Sequence, residues 1–319
     1  MRPHCPTDRE RGFALIAVLL VLAFVAVVGA EFAYSMRLEA TAARIYKETL
    51  IATHLAEAGL VLAIREIVAD YAFVGLGNDR DADADAECPL VFYTGAKLAL
   101  KRLPHRNVPL GAGEFSYCIT DEEARLNLNT SLPDRVGRLL QGLGLERQAR
   151  DTVVDSLQDW RDPNEEHRIN GAESEDTYLK LPVPYRSKNG NLDSLAELIQ
   201  IKGVTSKLLD GQEGRPGLAG LVTVKTPGQV NINTVPKEVI RALGLSEAEF
   251  TEIEQARRLG PYSTSRFSGR GLAYTSRTFR IEAQGLVDGQ VRARLTAIVQ
   301  KRTDTGGEGV AVLEWSGVH

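Results

Sequence analysis

Residues 13–30 form an unbroken run of uncharged, mostly apolar side chains, from Phe13 to Ala30. As a helix rising about 1.5 Å per residue, a run of that length crosses the hydrocarbon core of a bilayer. Beyond it the pattern changes. Ala52, Leu55, Ala56, Gly59, Leu60, Ala63, Ile64 and Ile67 recur at helical spacing, with polar residues between them. This predicts one continuous helix over 13–70, apolar all round over 13–30 and amphipathic where it carries a soluble head.

The head alternates at its two ends. Phe115, Tyr117 and Ile119 share one face of a strand over 114–121, opposite Ser116, Cys118 and Thr120. Phe279, Ile281 and Ala283 alternate in the same way, Asp288-Gly289 supplies a tight hairpin turn, and Val291, Ala293, Leu295, Ala297 and Val299 line the return strand. Strands on either side of a long helical middle predict an α/β (α+β) fold. In it one antiparallel sheet is covered by the long helix and interrupted by an insertion.

The middle contains a weak repeat. Leu126-Asn127-Leu128-Asn129-Thr130 precedes Pro133 and a helix ending at Leu143-Gly144-Leu145. Val230-Asn231-Ile232-Asn233-Thr234 precedes Pro236 and a helix ending at Leu243-Gly244-Leu245. Asn and Thr are read as helix-start caps, Pro as a first-turn residue and Gly as the stop. Ile201-Lys202-Gly203-Val204 is a third turn of the same kind, ending a helix that begins near Asp193. The chain then divides into a leader at 1–12, the helix at 13–70, a first α/β portion at 71–123, a helical insertion at 124–260, a second β portion at 261–302 and a flexible tail at 303–319.

Charge sets orientation. Arg2, Arg9 and Arg11 precede the span, which favours a cytoplasmic N-terminus and an exported body: a single-pass inner-membrane protein with its head in the periplasm. The net charge of −4 gives no general attraction to nucleic acid. In an oxidising compartment Cys88 and Cys118 are a candidate disulfide pair, with two free buried thiols as the alternative. The five histidines are scattered, and no metalloprotease, nucleophile-elbow or phosphate-loop motif occurs, so no enzyme is expected.

Two segments carry candidate chemistry. The alternating Asp79, Asp81, Asp83, Asp85 and Glu87 have calcium-loop spacing but lack its glycine and its closing glutamate, and read as a solvated acidic loop. Residues 159–166 and 170–176 crowd carboxylates into a Pro/Gly-punctuated loop. Hard oxygen donors of this density suit calcium, with an exposed acidic loop as the alternative. The apolar-Gly-apolar turns are similar to SAM-like or helix-hairpin-helix modules, which bind phosphates at helix N-termini. A membrane-anchored DNA receptor is therefore a rival reading. Glu146 and Glu247 beside two of the turns count against it, and a tight helix–helix corner is the simpler account.

Taken in order, Arg11-Gly12-Phe13-Ala14-Leu15, Thr120-Asp121-Glu122, Asp159-Trp160-Arg161-Asp162, Gly171-Ala172-Glu173, Pro184-Tyr185-Arg186 and Asp193-Ser194-Leu195-Ala196-Glu197-Leu198 resemble the K-type minor pseudopilins of the type II secretion system. The resemblance implies cleavage by a prepilin peptidase between Gly12 and Phe13, with N-methylation of Phe13. It implies a pilin-like fold and calcium held by Asp159, Asp162, Glu173 and Asp176. It also implies a tip complex with I-type and J-type minor pseudopilins above the major pseudopilin, in the inner membrane and without nucleic acid. Most pilin-like subunits carry Glu at the fifth residue after the cut; here that residue is Ala17, as in K-type subunits. A subunit at the filament tip has no later neighbour to neutralise such a carboxylate in hydrocarbon, where it would be costly. A minor pilin of a type IV pilus shares the N-terminal pattern but not the insertion. A secreted hydrolase with a cleaved signal is a third reading.

Overall fold

The computed structural model describes residues 8–77, 85–212, 214–267, 269–302 and 309–317, with side chains in the first helix described at Phe13 and from Leu15 onward. The leader before Asp8 and the acidic positions Asp79, Asp81 and Asp83 lie outside the described residues.

Helix α1 runs from Asp8 to Val68 without a break. Its first half touches nothing: Phe13 is 76% exposed, and Leu19, Phe24 and Val28 are also exposed. Its second half buries Ala52, Leu55, Ala56, Leu60, Ala63 and Ile67 against the sheet. Each fully buried Leu or Ile contributes about 1.5–3 kcal/mol, and the interleaved alanines let the helix approach closely.

Short strands β1 (Phe73–Leu76) and β2 (Leu90–Tyr93) form an antiparallel hairpin beside the main sheet. β3 (Val108–Leu110) and β4 (Gly113–Asp121) follow. The chain then leaves for the insertion: β5 (Leu126–Asn127), α2 (Pro133–Gly142), α3 (Arg147–Arg161), α4 (Ser206–Asp210), β6 (Gly211–Gln212), β7 (Arg215–Pro216), β8 (Val222–Thr223), β9 (Val230–Asn231), α5 (Lys237–Ala242), α6 (Glu247–Leu259) and β10 (Leu272–Ala273). It returns as β11 (Thr278–Val287), β12 (Gln290–Lys301) and β13 (Val310–Ser316). The main sheet has the order β13-β12-β11-β4-β3 and is antiparallel throughout. Because β4 and β11 are neighbours, the whole insertion occupies the connection between two adjacent strands.

The predicted alternation is realised. Phe115, Tyr117, Ile119, Phe279, Ile281, Ala283, Ala293, Leu295, Ala297 and Val299 all face α1. Asp288 and Gly289 make the β11–β12 turn with φ of 51° and 70°, the left-handed pair that matches strand twist.

The segment after residue 302 departs from the sequence reading. Val310–Ser316 is not part of a loose tail but the edge strand β13, paired with β12. Its half-exposed Val-Ala-Val-Leu run has ample β-propensity that the preceding glycines obscure. The end of the acidic loop also departs: Asp85 is not solvated but pairs with His105 and Arg106.

The insertion has its own core and is less helical than its pattern suggests, with short 3-10 segments and two-residue strand pairs among the helices. The helix expected from Asp193 is one of these, Leu195–Gln200, started by a Ser194–Glu197 capping box. The repeat is real. Leu143, Gly144 and Leu145 donate their amides to Leu139, Gln141 and Leu140, while Leu243, Gly244 and Leu245 donate to Val239, Arg241 and Ile240. Gly144 and Gly244 sit at φ of 86° and 83°, which glycine adopts without strain. The repeat asparagines do not cap the helices, as their position had suggested. Asn129 exchanges hydrogen bonds with both backbone groups of Leu192, and Asn233 bonds Tyr262 and Tyr274, so each stitches a distant loop to the start of its unit. A buried side-chain amide offers a donor and an acceptor together, which is what two orphaned loop peptides need.

Candidate functional site

Three regions stand out: the bare half of α1, the junction between sheet and insertion, and the acidic loop after α3.

The bare half of α1 has an 18-residue window of mean hydropathy 2.8, none of it buried; it is the one helix among the described residues long and apolar enough to cross a membrane. Gly12, Phe13 and Ala17 all lie in its helical backbone.

At the junction three consecutive carboxylates are buried, each tying down a different piece of the return path. Asp121 accepts from Thr234 Oγ1 (2.6 Å), Ser276 Oγ (2.7 Å), Asn231 Nδ2 (2.9 Å) and the Glu123 amide. Glu122 receives the fork of Arg280 at 2.9 and 3.0 Å, Arg125 Nη1 at 2.6 Å and Thr223 Oγ1 at 2.6 Å. Glu123 accepts the amides of Arg277 and Thr278, the entry to β11. Burial pushes the Asp121 carboxyl up, and its neutral donors offset that only in part. Burial also pushes Glu123 up, and the charge of Asp121 adds to it. Burial acts the same way on Glu122, yet the bonds from Arg280 and the charges of Arg125 and Arg280 together hold its carboxyl below the ordinary range. Sequence reading used 120–122 as a motif but missed this cluster. The available signal was three acids closing an apolar strand, with Arg125 two residues after the last of them.

Cys88 and Cys118 are joined, Cα to Cα 5.5 Å, linking the start of β2 to β4 across 30 residues. Closing a loop of that length stabilises a fold by about 3–4 kcal/mol in the chain-entropy account. A reductant, or the Cys88→Ser/Cys118→Ser double variant, is expected to lower the melting temperature of the head by several degrees. An unchanged melting curve would show that the link adds no stability.

In the acidic loop the four expected carboxylates are not gathered into one cage, and among the described residues no three His, Cys, Asp or Glu side chains converge on a metal position. Asp159 is fully buried and accepts the Arg168 and Ala172 amides and Arg168 Nη1 at 2.5 Å. Asp162 takes the same Nη1 at 2.6 Å, so Arg168 supplies the counter-charge to both. Gly171 is required beside them, since a Cβ there would lie 1.8 Å from Asp159 Oδ2. Asp176 accepts the Glu173 amide. Glu173 is different. It is buried, Ser187 Oγ donates to Oε2 at 2.6 Å, and Oε1 is buried with no partner. Burial raises its pKa, and the charges of Asp159, Glu165 and Asp162 raise it further against the Ser187 bond. Asn189 Oδ1 is a second buried oxygen without a donor, and its Nδ2 holds Glu165. An unsatisfied carboxylate oxygen in a field of like charge is a group that a hard cation would neutralise, and Glu173 is the one of the four expected ligands with such an oxygen. Glu165 and Asn189 were not among the residues singled out from sequence.

Two of the turns that suggested DNA binding present a carboxylate where a phosphate would sit. The N-terminus of α6 is already capped: Ser246 accepts the Glu249 amide, and Glu249 accepts from the Ser246 amide and hydroxyl. Glu146 occupies the corresponding position of α3.

A family model described as type II secretion system (T2SS), protein K matches residues 120–212, which take in the junction carboxylates and the acidic loop. The type II secretion system protein K of Klebsiella pneumoniae is 28% identical over 265 residues, covering 79% of this chain and 74% of that protein. That of Pectobacterium carotovorum subsp. carotovorum is 32% identical over 120 residues, and the chain spans 36% of its length. Among solved structures, a chain of the GspK-GspI-GspJ complex from the enterotoxigenic Escherichia coli type 2 secretion system shares the fold, with a TM-score of 0.59 at 18% identity over 88% of this chain and 99% of that one. The anchor helix, the interrupted sheet and these matches together make the chain similar to the protein K family of the type II secretion system, with the family model itself matched over residues 120–212.

Proposed function

We propose that the chain is a minor pseudopilin that works by assembly rather than catalysis, initiating and capping a short periplasmic pseudopilus with I-type and J-type partners. The observation that carries this is the division of α1: one half bare and apolar, the other locked to the sheet by a stripe of small residues. A helix exposed over its first half gains nothing from its own chain there. It is stabilised only by lipid and then by the equivalent helices of neighbouring subunits. Ala17 fits the tip position, where no later subunit docks above, and the insertion adds bulk on the head that obstructs such docking. Prepilin peptidase would cut before Phe13, and N-methylation of its new amine would follow. The I and J partnership is supported by the complex in which the structurally similar Escherichia coli chain was solved. The test is the intact mass and N-terminal peptide of protein extracted from native membranes, with co-purification of the two partners. A chain starting at Phe13 that carries both partners is expected. A start at Met1 or near Glu31, or recurrence of this chain along a filament shaft, would remove the reading.

The acidic loop is proposed to take calcium, with Glu173 as its central ligand and Asp159, Asp162 and Asp176 as the wider acidic frame. Bound calcium would neutralise the like charges that press on Glu173. Calcium is therefore expected to raise the melting temperature of the wild-type head, and chelator to lower it. By mass action a concentration 100-fold above Kd stabilises by about 2.7 kcal/mol. Glu173→Gln should abolish the response while leaving the metal-free melting temperature within a few degrees. A calcium shift that survives this substitution would exclude Glu173 as a ligand.

A further inference from the structure

Among the described residues, three arginines of the insertion form no ion pair with a carboxylate. Arg135 and Arg138 project from α2, and Arg270 lies in the loop before β10. Each guanidinium is held by a main-chain carbonyl: Arg135 Nη2 donates to Arg270 O (3.1 Å), Arg138 Nε to Ala242 O (2.9 Å) and Arg270 Nη1 to Gly244 O (2.8 Å). Among the described residues no carboxylate forms an ion pair with any of the three, in a chain whose 42 acids outnumber its 38 Lys and Arg. Their neighbours are neutralised in the ordinary way: Lys237 and Arg241 on α5 pair with Glu247, and Arg147 and Arg150 on α3 pair with Asp151. Glu249 comes near Arg270, but its carboxylate is taken up by Ser246.

The three heads cluster over two glycines. A Cβ on Gly244 would lie 3.1 Å from Arg270 Nη1 and 3.8 Å from Arg138 Nη2; a Cβ on Gly271 would lie 3.0 Å from Arg135 Nη1. Both glycines have φ near 80°. The backbone thus approaches beneath the guanidinium groups, and carbonyls fix their planes while leaving further N–H donors of each group open. Holding three like charges together is unfavourable in isolation and becomes favourable when an anion enters. Leu132, one turn before Arg135, is 63% exposed.

We propose that this arginine cluster is a docking site for a carboxylate-bearing peptide segment of a protein partner, with two or more Asp or Glu side chains on Arg135, Arg138 and Arg270 and an apolar side chain against Leu132. Guanidinium forks match carboxylates in pairs, and three of them suit a short acidic segment. An extended polyphosphate finds no further anchor here, since the adjacent α6 N-terminus is already capped by Ser246 and Glu249. The proposal does not depend on the tip-complex reading.

The test uses the full-length protein in detergent and a labelled Glu-Glu-Leu-Glu-Glu peptide, with Gln-Gln-Leu-Gln-Gln, duplex DNA and phosphatidylglycerol vesicles as comparisons. The glutamate peptide is expected to bind, more weakly as salt rises, and to lose about tenfold or more in affinity in Arg135→Gln/Arg138→Gln, the equivalent of one charge-assisted hydrogen bond. Those arginines also brace carbonyls, so Leu132→Glu serves as the second variant. It places a carboxylate one turn from Arg135 at an exposed position, and should weaken binding as much with the melting temperature unchanged. The proposal is overturned if the glutamate peptide binds no better than the glutamine peptide, if DNA or vesicles bind more tightly, or if Leu132→Glu leaves binding intact.

Discussion

Replacing Glu122 by alanine is expected to destabilise the head by about 3–5 kcal/mol, the range for removing one partner of a buried ion pair. The substitution strands Arg280 and Arg125, both mostly buried, and leaves Thr223 Oγ1 without its acceptor. Glu122 stands where β4 ends, Arg280 is on the neighbouring β11, and Thr223 is on β8 of the insertion. The loss therefore loosens the attachment of the insertion to the sheet as well as weakening the fold. Chemical denaturation of the soluble head should show the midpoint falling, with the insertion core melting apart from the sheet core. A variant within 1 kcal/mol of wild type would mean that the junction is not held by this carboxylate.

The same cluster sets the response to pH. Glu122 has a folded pKa below its unfolded value, so its contribution is present above the unfolded value and is lost as pH falls through the folded one. Asp121 and Glu123 have folded values above their unfolded ones, so their ionised forms cost stability at neutral pH, and protonation relieves that cost as pH falls from neutral. Mild acidification should first stabilise the junction, and deeper acid should then undo it. Asp121→Asn is expected to flatten the first limb and leave the second, as read from stability measured across the acid range.

The legible parts of the fold were those where one periodicity runs long enough to exclude the other. The change from an all-apolar to a one-sided helix identified both halves of α1, and clean alternation with Asp288-Gly289 identified β4, β11 and β12. The hairpin β1–β2 was not legible because Leu90-Val91-Phe92-Tyr93 is apolar at every position, with no alternation to mark a face. In the acidic loop the sequence shows how many carboxylates are present but not which way they point. Arg168, inside the same loop, satisfies Asp159 and Asp162, while Glu173 is left with the free oxygen. The arginine cluster was equally hidden, since α2 and the residue-270 loop meet only through the pairing of the two repeat units.

Gly285→Ala is the substitution expected to damage the scaffold most directly. Gly285 lies in β11 where the sheet passes beneath α1, and a Cβ there would stand 1.8 Å from the carbonyl oxygen of Ala52 and 2.6 Å from its carbonyl carbon. The obstacle is helix backbone, so no rotamer change relieves it. Either α1 lifts from the sheet or β11 shifts against its neighbours. The register already slips by a bulge between Gly285 and Leu286, so the strand has little further freedom to move. Lifting the helix opens gaps along the Ala52, Ala56, Gly59 and Ala63 stripe, where Gly59 already holds Phe115 Cδ2 at 3.1 Å from its own Cβ position. Overpacking of a well-fitted core costs about 1–3 kcal/mol, and a clash with backbone belongs at or beyond the upper end. The expected result is a fall of at least 3 kcal/mol in head stability, with loss of co-purifying partners in the membrane-extracted protein, because α1 can present its bare half at a fixed angle only while its other half is seated. Wild-type stability in Gly285→Ala would mean that helix and sheet do not approach this closely in the folded head.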